Sequence, residues 1–254
     1  MSLSDRQEEI LDLIRTESRV EVDDLAARFE VTTQTIRRDL SEICDRGLAT
    51  RTHGGARQLV SAASFAYEDR RAQNTKVKAT IGQKAAALIA DRASVILNIG
   101  TTTEQVAAAL AAHQGLTVIS NNINIVHILR EARLANMIIA GGTVRQSDGA
   151  IVGAEAVEFI GNYKADFAVI GASSLDADGA ILDFDDREVA VARVILKNAR
   201  TKILVVDHTK FDRSAPYRIC DVADLDVVIM DQTPPGSFIK AAEAAGTELL
   251  ILDA

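Results

Sequence analysis

Thr33, Gln34, Thr35, Arg37 and Arg38 stand in one short run, and their types suit the edges of DNA bases. Arginine can hold guanine O6 and N7 in a fork, glutamine can hold adenine N6 and N7, and threonine can touch a phosphate or a thymine methyl. Ile36, Leu40 and Ile43 recur at helical spacing, so one stripe is buried while the polar set faces away. Thr32 can cap the start of that helix and Gly47 can end it. A second group has different chemistry. Gly100-Thr101-Thr102-Thr103 follows an apolar run and enters a helix, where backbone N–H groups and the helix dipole attract an anion.

Each group also has a plainer structural reading: a solvated helix face for the first, an ordinary strand-to-helix turn for the second. The neighbouring elements favour function. Ser4 to Glu17 reads as an amphipathic helix with Leu3, Ile10, Leu11 and Ile14 apolar, and Ser4 with Gln7 fits a capping box. Val20 to Val22 alternates like a short strand, and Asp23 is placed to cap a helix from Asp24 to Phe29. Glu30-Val31 is a tight turn before the arginine-bearing helix. Leu48 to Arg51 and Ala56 to Leu59 form two strands about a turn at His53-Gly54-Gly55. Helix, helix, turn, helix and a two-stranded wing make a winged helix-turn-helix. In it Arg51 and His53 approach the DNA beside the helix.

Charge is focused on this module. The chain carries −8 overall, yet Thr32 to Arg57 holds five arginines against three acids. The first lysine is Lys76, so the module uses arginine alone, the better residue for bidentate contacts. Asp39 would repel DNA and is expected to pair with an arginine or its own scaffold. So few phosphate contacts per module imply weak binding by one copy, and hence a homo-dimer or homo-tetramer on repeated half-sites.

The 254 residues leave room for a second domain of ordinary size. No apolar run approaches the ~20 residues of a membrane span, and the polar N-terminal helix is unlike a signal peptide, so a cytoplasmic protein without membrane contact is expected. Cys44 and Cys220 are isolated, and His53, His113, His127 and His208 do not cluster, so no metal and no cofactor is expected. From Leu59 to Thr75 the periodicity lapses into a linker with at most a helical turn, which sets domains at 1–58 and 76–254. Beyond it apolar runs alternate with helices: Val95–Ile99, Leu116–Ile119, Met137–Ala140, Asp166–Ile170, Lys202–Val206, Val227–Ile229 and Leu249–Ile251. That pattern predicts an α/β domain with a mostly parallel sheet. Small and polar residues follow each of the first five strands, where open α/β sheets place ligands. The spacing is neither a Walker motif nor a dinucleotide fingerprint.

Residues 5–57 resemble the DNA-binding domain of the DeoR-type bacterial repressors. The resemblance is carried by Thr35-Ile36-Arg37-Arg38-Asp39-Leu40 and by Arg51-Thr52-His53-Gly54-Gly55-Ala56. Residues 76–254 resemble that family's effector domain, which shares its fold with ribose-5-phosphate isomerase. The matching runs are Asn98 to Thr103, Ser120 to Asn122, Ala140 to Gly142, Gly149 to Glu155, Gly171 to Gly179 and Val206 to Phe211. Arg145 to Gly149 and Leu182 to Val189 are similar to a subgroup whose inducer is sn-glycerol 3-phosphate. The resemblance implies double-stranded operator DNA and a small phosphorylated effector as partners.

It also implies a ligand site made of Gly100, Thr101, Thr102, Thr103, Asn121, Gly142, Arg145, Asp176, Glu188 and Lys210. The threonines would hold the phosphate, and Lys210 would supply charge, with Arg145 a further phosphate partner. Asn121, Asp176 and Glu188 would bond hydroxyls. For Glu188 the alternative is a surface residue beside Arg187 and Arg193, and for Lys210 a solvated loop lysine. The isomerase relatives carry a lysine and glycines where this chain reads Phe184-Asp185-Asp186-Arg187. A non-enzymatic sensor is therefore expected. An isomerase-like enzyme with a DNA-binding appendage is the alternative, since Asp176, Asp178 and Asp183 keep proton transfer open on residue type.

Overall fold

The computed structural model describes residues 3–17, 19–46, 48–52, 54–58 and 62–252. His53 and Gly47, named above as a DNA contact and a helix terminator, lie outside them. The chain divides into two compact units, residues 1–65 and 66–254.

The first unit runs α1 (Asp5–Glu17), β1 (Arg19–Glu21), α2 (Val22–Arg28), α3 (Thr33–Asp45), β2 (Ala49–Thr52) and β3 (Gly55–Gln58). Ile10 and Ile14 of α1, Leu25 of α2, and Ile36, Leu40 and Ile43 of α3 form its core. The capping box is present: Ser4 N–H donates to Gln7 Oε1 at 3.0 Å and Gln7 N–H to Ser4 Oγ at 3.3 Å. Two expectations shift. Helix α2 starts at Val22, so Asp23 lies in its first turn rather than capping it. The Val22 N–H, an orphan donor at a helix start, is taken by Gly54 O at 2.8 Å. The wing has three strands, because β1 pairs antiparallel with β3, which also pairs with β2. Gly55 permits that third strand, since a Cβ there would lie 1.9 Å from Val20 O.

The stretch read as a linker holds an eleven-residue helix, α4 (Ala62–Ala72). It is followed by α5 (Thr75–Ala87), β4 (Ser94–Leu97), α6 (Thr101–Leu110), β5 (Thr117–Ser120), α7 (Ile123–Leu129), β6 (Asn136–Ile139), the small hairpin β7 (Val144–Arg145) and β8 (Ala150–Ile151), α8 (Ala154–Gly161) and β9 (Ala165–Ile170). Then come β10 (Ser174–Leu175), β11 (Ala180–Asp183), α9 (Asp186–Lys197), β12 (Ala199–Val205), a 3-10 turn at His208–Asp212, β13 (Tyr217–Asp221), β14 (Val227–Met230), α10 (Gly236–Ala245) and β15 (Glu248–Ile251).

Seven strands form one wholly parallel sheet in the order β15-β14-β12-β9-β4-β5-β6. Its strands read as unbroken apolar runs because helices cover both faces. Val95 and Leu97 of β4 share a core with Ile81 of α5, Leu110 of α6 and Ile125 of α7. Ile96, between them, shares the opposite core with Ile160 of α8, Ile195 of α9 and Phe238 of α10. From β4 the chain proceeds outward to β5 and β6, and from β9 outward the other way. The β4–β9 junction is thus the topological switch point, whose carboxyl ends open a crevice. A small antiparallel sheet β10-β11-β13, absent from the sequence reading, lies after β9 in the chain.

Candidate functional sites

Helix α3 is the first site. Thr32 caps it, accepting from Thr35 N–H at 3.2 Å, and the Thr32 and Thr35 hydroxyls lie 2.9 Å apart. Ile36, Leu40 and Ile43 are fully buried, while Gln34, Arg37 and Arg38 are exposed and Thr33 and Thr35 half-buried. The buried stripe therefore fixes which face is offered outward. Arg51 is exposed, and its Nη1 donates to Arg37 O and to Ser41 Oγ, both at 3.1 Å, so it ties β2 to α3.

Asp39 is scaffold. It is buried and accepts from Arg6 Nε at 2.7 Å and from Gln7 Nε2 at 3.2 Å. It thereby locks α3 onto α1. Asp39→Ala should cost about 1–3 kcal/mol, because the Gln7 amide loses a partner inside the protein. Urea unfolding of the full chain would register this as a lower midpoint, and an unmoved midpoint would contradict the scaffold role.

The second site is a cleft at the β4–β9 switch point. Its walls include Asn98 to Thr102 after β4, Gly171 to Ser173 after β9, Lys210 after β12, Asp183 at the end of β11 and Glu188 in the first turn of α9. It has a volume of about 660 Å³ counted with its open mouth. Helix α6 begins at Thr101, not Thr103, because Glu104 N–H already bonds Gly100 O at 3.0 Å. The threonines are its first turn. Gly100 sits at φ 138, which only glycine adopts readily. Thr101 and Thr102 face the cleft, but the Thr103 hydroxyl donates to Gly100 O at 2.7 Å and is fully buried. Its hydroxyl donor is therefore already used within the helix cap.

Lys210 is buried, not a solvated loop lysine. Burial pushes its ammonium down to about 8, with Arg213, Arg70 and Lys78 adding repulsion and Asp207 opposing. Burial resists ionisation of Asp207, yet hydrogen bonds from Thr209 and the charges of Lys210 and Lys78 outweigh it and hold the carboxyl below the ordinary range. Glu188 is pushed up to about 7 by burial and by the charge of Asp183, against the pull of Arg145. Burial likewise raises Asp183, which accepts from Ser173 Oγ at 3.0 Å. The cleft thus brings a buried lysine together with two carboxyls whose ionisation burial disfavours. It suits a ligand with an anionic group and hydroxyls.

Four expected ligand residues are placed elsewhere. Arg145 is held by Asp148 at 2.8 and 2.5 Å, by Asp185 at 3.0 Å and by Glu188, so carboxylates already surround its guanidinium. Its role is to brace Glu188. Asp176 is exposed in the β10–β11 turn, where its N–H bonds Ala180 O at 3.0 Å. Asn121 is fully buried, donating to Ile151 O at 3.0 Å. Gly142, at φ 125, is exposed and packs near Glu155, outside the cleft lining. In turn the sequence reading missed Tyr67 and Arg70 of α4, and Asn98, Asp148 and Ser173, and it named Asp183 only as a carboxylate open to proton transfer. Tyr67 and Arg70 stand three residues apart, the spacing of one helix face, which is the signal that could have found them. Among the described residues there is no cluster that could hold a metal, and no helix is long and apolar enough to cross a membrane.

Known families resemble both units of the chain. Residues 6–62 match the DeoR-like helix-turn-helix domain and residues 73–232 the DeoR C-terminal sensor domain. The chain is 37% identical over 240 residues to the glycerol-3-phosphate regulon repressor of Escherichia coli strain K12, covering 94% of this chain and 95% of that one. It is 39% identical over 236 residues to the protein of that name from Haemophilus influenzae, covering 93% and 92%. With the HTH-type transcriptional repressor CsqR of E. coli it shares 34% over 246 residues, covering 97% and 94%. Among solved structures, ribose 5-phosphate isomerase from Plasmodium falciparum aligns at TM-score 0.38 and 12% identity over 54% of this chain and 52% of that one. A likeness that low bears on neither activity nor substrate. With a helix-turn-helix module and a sensor domain both matched, and relatives similar along nearly their whole length, this chain belongs to the DeoR family of transcriptional repressors.

Proposed function

We propose that this chain represses genes of glycerol and glycerol 3-phosphate metabolism, and that sn-glycerol 3-phosphate releases it from its operator. One observation carries the effector class: Lys210, buried beside the first turn of α6 at the switch point. A desolvated cation and a helix N-terminus facing one cleft suit a phosphate. Asp183 and Glu188 in the same cleft suit hydroxyls. The names of the two relatives at 37% and 39% identity supply the choice among phosphorylated effectors. The exposed Gln34, Arg37 and Arg38 meet the operator major groove, in a homo-dimer or homo-tetramer in the cytoplasm.

Release is a population shift. The effector-free sensor favours paired winged helices at half-site spacing, and closure of the cleft favours another arrangement. The effector acts to the extent that it binds that second arrangement better.

Calorimetry on the full chain tests this with sn-glycerol 3-phosphate, glycerol and a set of sugar phosphates. Saturable binding of glycerol 3-phosphate, absent for glycerol, is expected. Preference for another sugar phosphate would transfer the effector role to it. The pH dependence follows from Lys210. Its charged form holds the anion, and with the free group near 8 the affinity should fall above pH 8. The slope should be about tenfold per pH unit once the lysine is mostly neutral. Affinity constant from pH 7 to 10 would remove Lys210 from the site.

A second reading has its own observation. A carboxyl near 7 facing a lysine near 8 is also how enzymes poise proton transfer. We read the site as non-catalytic because a DNA-binding module gives a sensor its output and gives an isomerase none. Conversion of ribose 5-phosphate by the purified chain would reverse that choice.

A further inference from the structure

The stretch from Leu59 to Thr75 reads in sequence as a linker, yet its helix α4 supplies Tyr67 and Arg70 to the cleft. We infer that α4 is a wall of the effector site and the lever by which its occupation reaches the DNA-binding unit. In this role Arg70 faces the bound anion and the Tyr67 phenol joins α4 to the start of α6. This rests on the reading that the cleft holds a phosphorylated effector.

The attachment at Tyr67 is specific. Its ring is buried and its hydroxyl lies 2.8 and 2.9 Å from the two carboxylate oxygens of Glu104, to which it donates. Glu104 belongs to the first turn of α6, the turn that would hold the phosphate. The same carboxylate accepts from Asn122 Nδ2 at 3.1 Å and from Asn124 Nδ2 at 3.0 Å. Asn124 also donates to Tyr67 Oη at 2.8 Å and to Asp148 O, at the cleft wall, at 2.9 Å. A buried carboxylate with this many donors is costly to disturb, so α4 and the α6 N-terminus move as one body or change partners together.

The attachment at the far end is equally built. Lys78 of α5 is buried and donates to Arg70 O and, at 2.8 Å, to Gln73 O. It satisfies carbonyls that the end of α4 would otherwise leave without partners. Between the two attachments, Arg70 lines the cleft and repels Lys210 through space. A phosphate held in this cleft would meet Arg70 as well as Lys210, since both line it. An effector phosphate drawn to Lys210 and α6 would therefore draw Arg70 as well, and with it the helix.

The test uses the full chain, an operator duplex and sn-glycerol 3-phosphate, with binding by calorimetry and release by fluorescence anisotropy. Tyr67→Phe keeps the ring and removes the bond. At saturating sn-glycerol 3-phosphate, whatever its own effector affinity, it should cut the effector-induced loss of operator affinity by about tenfold or more. Full release by this variant would overturn the lever. Arg70→Gln, at a half-buried position, should weaken effector binding by about tenfold or more with operator binding kept. Unchanged effector affinity would overturn the wall. If the unaltered chain binds neither glycerol 3-phosphate nor any sugar phosphate, the effector reading itself fails and takes this inference with it. If the unaltered chain responds and both variants respond equally, this inference alone fails.

Discussion

Replacing Lys210 with alanine should weaken binding of the phosphorylated effector by roughly two orders of magnitude and leave the effector-free protein bound to its operator. The size follows from burial. Truncating one member of a buried, hydrogen-bonded charge pair costs about 2–5 kcal/mol, or roughly thirtyfold to several thousandfold in affinity. Lys210 is 8% exposed, so little solvent would replace its charge on the ligand. Operator binding should be kept, because Lys210 lies in the unit formed by residues 66–254 and the recognition helix α3 in the other. In a cell the variant should repress without responding to inducer. Calorimetry with glycerol 3-phosphate and anisotropy with operator DNA read the two halves of this prediction separately. Unweakened effector binding would mean that the phosphate is held elsewhere.

The second large effect concerns DNA. Arg38→Ala should lower operator affinity by about 1–3 kcal/mol, roughly five- to 150-fold, if the guanidinium forks a guanine. Arg38 is exposed on α3, whose opposite stripe is fully buried, so its removal should not disturb the fold. Comparison with a scrambled duplex identifies the kind of contact. A base contact loses specificity at one position of the site, whereas a phosphate contact weakens both duplexes alike and flattens the salt dependence. Undiminished operator affinity would take Arg38 out of the interface. Arg51 offers a contrast, since its bonds to Arg37 O and Ser41 Oγ make it a brace. Its removal should act through stability and through the angle of the wing.

Much of the fold was legible because local pattern and tertiary environment agree. The α3 stripe of Ile36, Leu40 and Ile43 and the Thr32 cap need no distant partner to be recognised. Strands β4, β5, β9 and β12 stand out as apolar runs because both faces of the sheet are covered. Helix α4 was illegible for the opposite reason. Its sequence is short and charge-rich, and its hold on the sensor comes from Tyr67 to Glu104, a contact between distant residues, and from Lys78 to Arg70 O. The strands β10, β11 and β13 are short, and β11 meets β13 only across a long separation, which leaves little periodicity to read.

Within the cleft, residue type was a fair guide to Thr101, Thr102, Glu188 and Lys210, which line it. Type misled at Arg145, whose carboxylate partners Asp185 and Glu188 come from forty or so positions later. At Thr103 it misled because one hydroxyl rotated toward Gly100 O removes a donor that composition counts as available.

The proposed coupling joins an operator-reading helix to a phosphate-holding cleft within one chain. Fluorescence anisotropy on a labelled duplex from upstream of glycerol-uptake genes, titrated with the chain and then with sn-glycerol 3-phosphate, tests it most directly. The account predicts tight binding at modest salt that glycerol 3-phosphate reverses and glycerol does not. Tight binding that no phosphorylated compound alters would contradict the coupling.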